Sequence, residues 1–338
     1  MYREDFLVDS YGRQVTYLRI SLTDRCNFRC FYCVPAGGFS LLPKSELLTL
    51  SEIVRFVRII SQMGVCRIRL TGGEPLLRED ILGIVREIKE LGTIRDLSVT
   101  TNGSLLNNMA RPLKEAGLDR LNVSLDSLDP NRFQAITASG AYKNVREGIL
   151  RALEEGLPVK LNMVVLRDLA EEEIIEFVRL AQYFPIQVRF LEFMPLCGTN
   201  WRMDQFVPIK EIRRIVENNF STLPLSPEND AVASVYSLAH GKGSVGFIAS
   251  VTESFCNRCS RIRLSSDGKI FPCLFSTVQV SVKDLLRRGA SDEEISKAIQ
   301  TAVRLKPAGN AFKEGFMGVE QSEIYKKNNA PLIRAIGG

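Results

Sequence analysis

The 338-residue chain has a single histidine, His240, and that scarcity removes several chemistries at once. Zinc hydrolases, imidazole-based acid–base enzymes and Ser-His-Asp triads all need histidine. His240 lies beside Gly241-Lys242-Gly243, reads as an exposed loop position, and is assigned no role. No apolar run reaches the roughly 18 residues of a membrane helix; a good candidate, Ile53–Ile60, is interrupted by Arg55 and Arg58. Met1-Tyr2-Arg3-Glu4-Asp5 brings acid early with no apolar stretch behind it, which is not a signal-peptide pattern. A soluble, cytoplasmic protein with no membrane partner is expected. Excess charge of one sign is missing too. The balance of 44 Lys+Arg against 39 Asp+Glu leaves +5, which does not point to nucleic acid but suits an anionic small substrate. With 45% hydrophobic and 25% charged residues, the composition excludes disorder and low complexity.

What the chain does have is cysteine. Of eight, Cys26, Cys30 and Cys33 form one group and Cys256, Cys259 and Cys273 another, while Cys66 and Cys197 stand apart. In a cytoplasmic protein such groups indicate metal or cluster ligation and not disulfides. Cys26-x3-Cys30-x2-Cys33 puts three thiolates on one loop, able to hold three irons of a [4Fe–4S] cube and leave the fourth open. A structural zinc site normally takes four ligands, so a zinc loop would have to borrow a distant cysteine. Cys256-x2-Cys259-x13-Cys273 is again a triad with no local fourth ligand. Its alternatives are a zinc ribbon short of one cysteine, or Cys197 supplying the fourth position. Cys66 opens a strand and reads as a small packed hydrophobe.

The first two-thirds of the chain alternate strand and helix patterns. Strands are predicted at Tyr17–Ser21, Cys66–Leu70, Leu97–Thr101, Leu121–Leu125, Val159–Leu166 and Gln187–Phe193. Helices are predicted at about Ser51–Met63, Asp80–Leu91, Leu105–Ala116, Tyr142–Glu155, Glu171–Gln182 and Ile209–Asn218. Thr49 or Ser51 would cap the first helix. Six such repeats predict an α/β fold, a partial (β/α)6 TIM-type barrel, with a doubly wound open sheet as the alternative. The first cysteine triad lies in a loop of about 25 residues after strand one, long enough to imply function. After Pro224 the pattern changes to short strands near 232–238, 245–250, 261–264 and 270–274, then helices at 282–288 and 292–303. The chain is therefore divided into a barrel, residues 1–223, and a C-terminal α+β extension, residues 224–338, covering the open side.

These motifs resemble the radical S-adenosylmethionine (SAM) superfamily. The stretch Thr23-Asp24-Arg25-Cys26-Asn27-Phe28-Arg29-Cys30-Phe31-Tyr32-Cys33 is similar to the GTP 3′,8-cyclase family within it, the molybdenum cofactor biosynthesis protein A type. Further matches are Thr71-Gly72-Gly73-Glu74-Pro75, Thr100-Thr101-Asn102-Gly103, Asn122-Val123-Ser124-Leu125-Asp126, Arg189-Phe190-Leu191-Glu192-Phe193-Met194 and the terminal Gly337-Gly338. The resemblance spans nearly the whole chain, and its most specific part is the C-terminal triad. Asn310 and Ile333 depart from the family's frequent His and Met near the tail, which in the family reaches toward the active site.

The resemblance implies an enzyme with two [4Fe–4S] clusters. The open iron of the cluster on Cys26, Cys30 and Cys33 binds SAM, whose reductive cleavage gives a 5′-deoxyadenosyl radical. That radical takes the C3′ hydrogen of GTP, and the ribose carbon attacks C8 of guanine to give 3′,8-cyclo-7,8-dihydro-GTP, the first step of molybdenum cofactor biosynthesis. SAM contacts carry over to Tyr32, Gly73, Ser124 and Met194, with Gly72-Gly73 letting backbone approach the methionine amine. The second cluster, on Cys256, Cys259 and Cys273, meets the guanine. Basic residues supply the rest. Arg261 and Arg263 share one strand face with Cys259, Arg19 and Arg69 lie in strands one and two, and Lys160 begins strand five. Cations buried in a barrel are costly unless answered, and a triphosphate answers several, arginine doing so bidentately. GTP contacts thus fall to Arg19, Arg69, Thr100, Lys160, Arg261 and Arg263, with Arg189 near the same cavity. An electron donor and the next enzyme of the pathway are the implied partners, and the chain would act as a monomer or homodimer. The competing readings are a radical SAM peptide-maturing enzyme with an auxiliary cluster, and a non-catalytic iron–sulfur carrier or zinc-dependent binding protein. A carrier would have no use for Gly72-Gly73-Glu74-Pro75 or for barrel-facing arginines.

Overall fold

Each strand of the first two-thirds alternates apolar residues with polar or charged ones, so a sheet built from them has two unlike faces. The computed structural model describes residues 6–35, 38–196, 200–226, 232–309 and 336. In chain order it holds β1 (Tyr17–Ser21), α1 (Leu50–Gln62), β2 (Arg67–Thr71), α2 (Ile81–Glu90), β3 (Asp96–Thr101), α3 (Leu106–Glu115) and β4 (Arg120–Ser124). Then come α4 (Pro130–Thr137), α5 (Tyr142–Glu154), β5 (Val159–Val165), α6 (Ala170–Tyr183), β6 (Ile186–Glu192) and α7 (Ile209–Asn219). The rest of the chain contributes β7 (Thr222–Pro224), β8 (Ser234–Leu238), β9 (Ser244–Ile248), β10 (Arg261–Leu264), β11 (Lys269–Phe271), β12 (Val280–Ser281), α8 (Lys283–Arg287) and α9 (Asp292–Arg304).

The strands join in one sheet of order β12-β11-β10-β1-β2-β3-β4-β5-β6-β9-β8-β7. β1 to β6 run parallel in sequence order, as helical crossovers require. This is the α/β partial barrel expected from the pattern. The extension supplies strands to both edges of the opening: β10 pairs parallel with β1, and β9 pairs parallel with β6. Helix α4 is absent from the sequence expectation, although Asp129 caps it by accepting from Arg132 N at 2.8 Å and Pro130 occupies its first turn.

The apolar alternates face the helices. Leu18, Ile20, Ile68, Leu70, Val99, Val123 and Leu161 are buried in one cluster with Ile53, Phe56 and Val57 of α1 and Ile84 and Val85 of α2. Each such side chain contributes roughly 1.5–3 kcal/mol on burial. Thr49 starts α1 with a capping box, its hydroxyl accepting from Glu52 N while Glu52 Oε2 accepts from Thr49 N at 2.7 Å. The remaining alternates point away from the helices, and there they line a cavity.

Candidate active site

The cavity has a volume of about 270 Å³, and its wall includes Tyr17 and Arg19 of β1, Arg69 of β2, Thr100 of β3, Ser124 of β4, Asn162 of β5 and Arg189 of β6. Parallel register places these side chains in rows. Arg19 is opposite Arg69 on one side and Arg263 on the other, so three guanidinium-bearing positions stand abreast on β10, β1 and β2. Arg261 is opposite Tyr17 one row away. Burial foremost, then Arg263 and Arg69, holds the Arg19 guanidinium well below the ordinary arginine range. Burial and then Arg261 bring Arg263 down to about 10. A cavity that crowds cations in this way favours an anionic occupant. Arg69 Nε, Thr100 Oγ1, Asn162 Oδ1 and Ser254 Oγ are buried polar atoms with no protein partner, and each can take a bond from a bound molecule.

The first cysteine loop leaves the C-terminal end of β1. Its backbone is fastened by the glycine pair: Gly73 N donates to Thr23 O and Glu74 N to Arg25 O, both at 2.7 Å. A Cβ on Gly73 would lie 2.1 Å from Arg25 O, and one on Gly72, at φ +143°, would lie 2.5 Å from Thr23 O. Only glycine allows that approach. Glu74 is fully buried and accepts from Thr101 Oγ1, Asn102 N and Leu76 N at 2.7, 2.7 and 3.0 Å. Burial raises its carboxyl to about 7, against those hydrogen bonds. From the other side α4 braces the loop, with Arg29 N donating to Thr137 O and Phe31 N to Ile136 O. Cys26, Cys30 and Cys33 are half-buried and take part in no disulfide. Burial first, then Asp126 and the neighbouring Cys33 and Cys26, push the Cys30 thiol well up. Thiols that oppose each other's ionisation fit a cationic iron core. Among the described residues no three His, Cys, Asp or Glu side chains converge on a single-ion site; in a cubane each thiolate ligates its own iron.

The second triad sits at the other end of the same strands. Cys259 precedes β10, whose first residue pairs with the first of β1, whereas Cys26 follows the last residue of β1. The five residues of β1 span roughly 16 Å at about 3.3 Å each; Tyr32 of the first loop reaches the cavity wall, while Cys26, Cys30 and Cys33 lie outside it. Cys256, Cys259 and Cys273 all line it, as do Arg261 and Arg263. The Arg261 guanidinium is 4.6 Å from the centroid of the Phe255 ring, which orients it. Burial would raise the Cys259 thiol, but Arg261 and Lys306 outweigh it and bring it down to about 6. Low-pKa thiols beside cations are apt metal ligands. The carboxylate of Glu192, buried at the end of β6, accepts from Val251 N at 2.7 Å and Thr252 N at 3.0 Å, and from Ile209 N at 2.8 Å. It thereby ties the chain leading into Cys256 to the barrel.

Of the residues carried over for SAM, Tyr32, Ser124 and Met194 line the cavity, and Gly73 packs on the cysteine loop outside its wall. Of those carried over for GTP, Arg19, Arg69, Thr100, Arg261 and Arg263 line it together with Arg189. Lys160 shares the inward parity of β5, opposite Asn122 and Gln187, but falls outside the cavity wall. Cys197, Asn310, Ile333, Gly337 and Gly338 lie outside the described residues. Ile336 is described, and its carbonyl accepts from the Arg263 guanidinium at 3.5 Å.

Sequence reasoning passed over Tyr17, Asp126, Asn162 and Lys306. Parity would have found three of them. Tyr17 is two before Arg19, Asn162 two after Lys160, and Asp126 two after Ser124. Asp126 accepts from the Tyr32 hydroxyl and from Val164 N at 2.9 Å, and burial raises its carboxyl to about 6.

Comparison with known proteins matches residues 20–181 to the Radical SAM superfamily model and residues 186–312 to the model Molybdenum Cofactor Synthesis C. The chain is 41% identical, over 95% of its length and 99% of the relative, to a GTP 3′,8-cyclase of Syntrophomonas wolfei. It is 45% identical over 89% of its length and 94% of the relative to a GTP 3′,8-cyclase of Thermodesulfovibrio yellowstonii. It is 41% identical over 97% of its length to human molybdenum cofactor biosynthesis protein 1, of which it covers 51%. Among solved structures, Streptococcus suis SuiB bound to S-adenosylmethionine superposes with a TM-score of 0.60 at 17% identity, over 86% of this chain and 69% of that one. That likeness speaks for the fold.

Proposed function

The chain belongs to the GTP 3′,8-cyclase family of radical SAM enzymes, and from that premise we propose that its cavity seats SAM at one end and GTP at the other. The reaction is the conversion of GTP to 3′,8-cyclo-7,8-dihydro-GTP, which opens molybdenum cofactor biosynthesis. In this reading residues 1–223 form the SAM-cleaving barrel and residues 224–338 the portion that receives the base of GTP. Cys26, Cys30 and Cys33 would hold one [4Fe–4S] cluster and Cys256, Cys259 and Cys273 a second. When bound, the first cluster with SAM supplies the electron and the 5′-deoxyadenosyl radical on which the chemistry depends.

The chain's own residues bind, orient and exclude water. Tyr32, Gly73, Ser124 and Met194 hold SAM, with Tyr32 fixed by Asp126. Arg19, Arg69, Arg261 and Arg263 hold the triphosphate and base side of GTP, Thr100 and Lys160 add polar contacts, and Arg189 supports the same end. Val164, Leu191, Phe193 and Ile248, also in the wall, keep water from a site where a reactive radical must meet only its substrate. A cytoplasmic setting, an electron donor and an onward enzyme for the product complete the reading.

The observation that carries it is the row of Arg263, Arg19 and Arg69 in a cavity lined by the second cysteine triad and, from the loop of the first, by Tyr32. The test is anaerobic incubation with SAM, a strong reductant and GTP, followed by chromatography and mass spectrometry. Hydrogen loss at C3′, bond formation to C8, and gain of one electron and one proton leave an isomer of GTP, formed in equal amount with 5′-deoxyadenosine. Formation of 5′-deoxyadenosine with GTP unchanged would contradict it.

A further inference from the structure

Lys306 lies two residues beyond α9 and is 4% exposed. An ammonium carries three N–H donors, and here three acceptors meet it: the carbonyl of Arg261, the carbonyl of Pro272 at 3.2 Å, and Cys259 Sγ at 3.4 Å. Arg261 is two residues past Cys259, and Pro272 immediately precedes Cys273. One cation therefore ties together the two segments that carry these cysteines. Its own segment is held in turn by Arg13, which donates to Pro307 O at 2.6 Å, Ala308 O at 2.9 Å and Cys256 O at 2.7 Å. Arg13 Nε is anchored on Asp9 Oδ2 at 2.6 Å. Each of the three cysteine segments is thus gripped by one of two buried cations.

Backbone carbonyls could satisfy the hydrogen bonds of a neutral donor as well. Of the three acceptors, Cys259 Sγ is the one able to carry negative charge, as it would as a thiolate ligand of a cluster. Hydrogen bonds and positive charge on ligating sulfur stabilise the reduced, more negative state of an iron–sulfur cluster. We propose that Lys306 is a positioning residue for the second cluster, fixing the spacing of the Cys259 and Cys273 segments and, through its N–H···Sγ contact with Cys259, raising the cluster's reduction potential. This rests on the reading that Cys256, Cys259 and Cys273 hold a cluster.

The test uses the full-length chain carrying Cys26→Ala, Cys30→Ala and Cys33→Ala, in which only the second triad can take iron. Reduction potential is read by anaerobic EPR titration in that parent and with Lys306→Met, Lys306→Gln or Lys306→Arg added, with iron counted in each. The expected result is about four irons per chain in each protein, a more negative potential for the Met and Gln variants, and a return toward the parent for Arg. Loss of iron from the Met and Gln variants with recovery in Arg supports the same assignment, because glutamine places an amide there without the charge. An unchanged potential in Lys306→Met and Lys306→Gln overturns it, as does loss of iron from all three, since the site would then answer to shape and not to charge. No iron in the parent itself overturns the cluster reading, and the proposal with it.

Discussion

Arg19 and Arg263 stand directly opposite one another across the parallel β1–β10 pair, two arginines side by side on the cavity face of one sheet. Opposed like charges destabilise a sheet, and each of the two guanidinium groups sits below the ordinary arginine range from burial foremost, Arg263 adding to the effect at Arg19. The arrangement is intelligible as a seat for a polyanionic substrate. A triphosphate seated there would bring several negative charges to the row, and the folding cost of crowding the arginines would become binding specificity.

Cluster stoichiometry is the first expected outcome. Reconstitution without oxygen should give about eight irons per chain, and about four after changing Cys26, Cys30 and Cys33 to alanine. Iron and zinc analysis checks this. Stoichiometric zinc with no iron would contradict it.

The two triads should separate by role. Changing Cys256, Cys259 and Cys273 together should abolish GTP turnover and leave uncoupled SAM cleavage, read as 5′-deoxyadenosine released with GTP unchanged. GTP cyclisation surviving the triple change would reduce the second triad to a structural element.

Gly73→Ala should damage the first site selectively. Its Cβ would fall 2.1 Å from Arg25 O, and relieving such overpacking costs about 1–3 kcal/mol or moves the loop. The expected outcome is loss of first-cluster iron and of SAM cleavage with second-triad iron retained. Iron content and 5′-deoxyadenosine yield at wild-type levels would show that the loop does not depend on this contact.

How much of the site is legible in the sequence depends on range. Alternation along a strand is local, so period-two spacing alone places Arg19, Arg69, Arg261 and Arg263 on inward faces. The triad spacings are local too. Which strand closes which edge is not: nothing in the residues of β10 states that it pairs with β1, or that β9 pairs with β6. Those pairings join residues more than fifty positions apart, and the first of them sets the Arg19–Arg263 row. Lys306 leaves no signal, being one lysine past a helix end whose role appears only when Arg261 and Pro272 converge on it. Helix α4 does leave one, in Asp129-Pro130, and it braces the cysteine loop.

Asp126 gives a pH signature. Burial raises its carboxyl from 3.8 to about 6, so the folded state resists the ionisation that the unfolded chain undergoes freely. The stability this contributes is fully present below about pH 4 and is lost as pH rises to about 6, a change of roughly 3 kcal/mol. Asp126→Asn removes that dependence. The difference in unfolding free energy between variant and parent should therefore shift in favour of the variant between pH 4 and pH 7. A difference that stays constant over that range would contradict the assignment.

Whether the arginine row seats GTP is decided by the GTP affinity of Arg19→Ala, Arg263→Ala and the double variant, measured anaerobically with iron content checked. Each charge-assisted contact contributes about 1.5–3 kcal/mol, so each single change should weaken binding by about ten- to a hundredfold. The double change should abolish measurable binding, and affinity of the unaltered chain should fall as salt rises. GTP bound by the double variant as tightly as by the parent, with both clusters present, would place the nucleotide elsewhere and contradict the account.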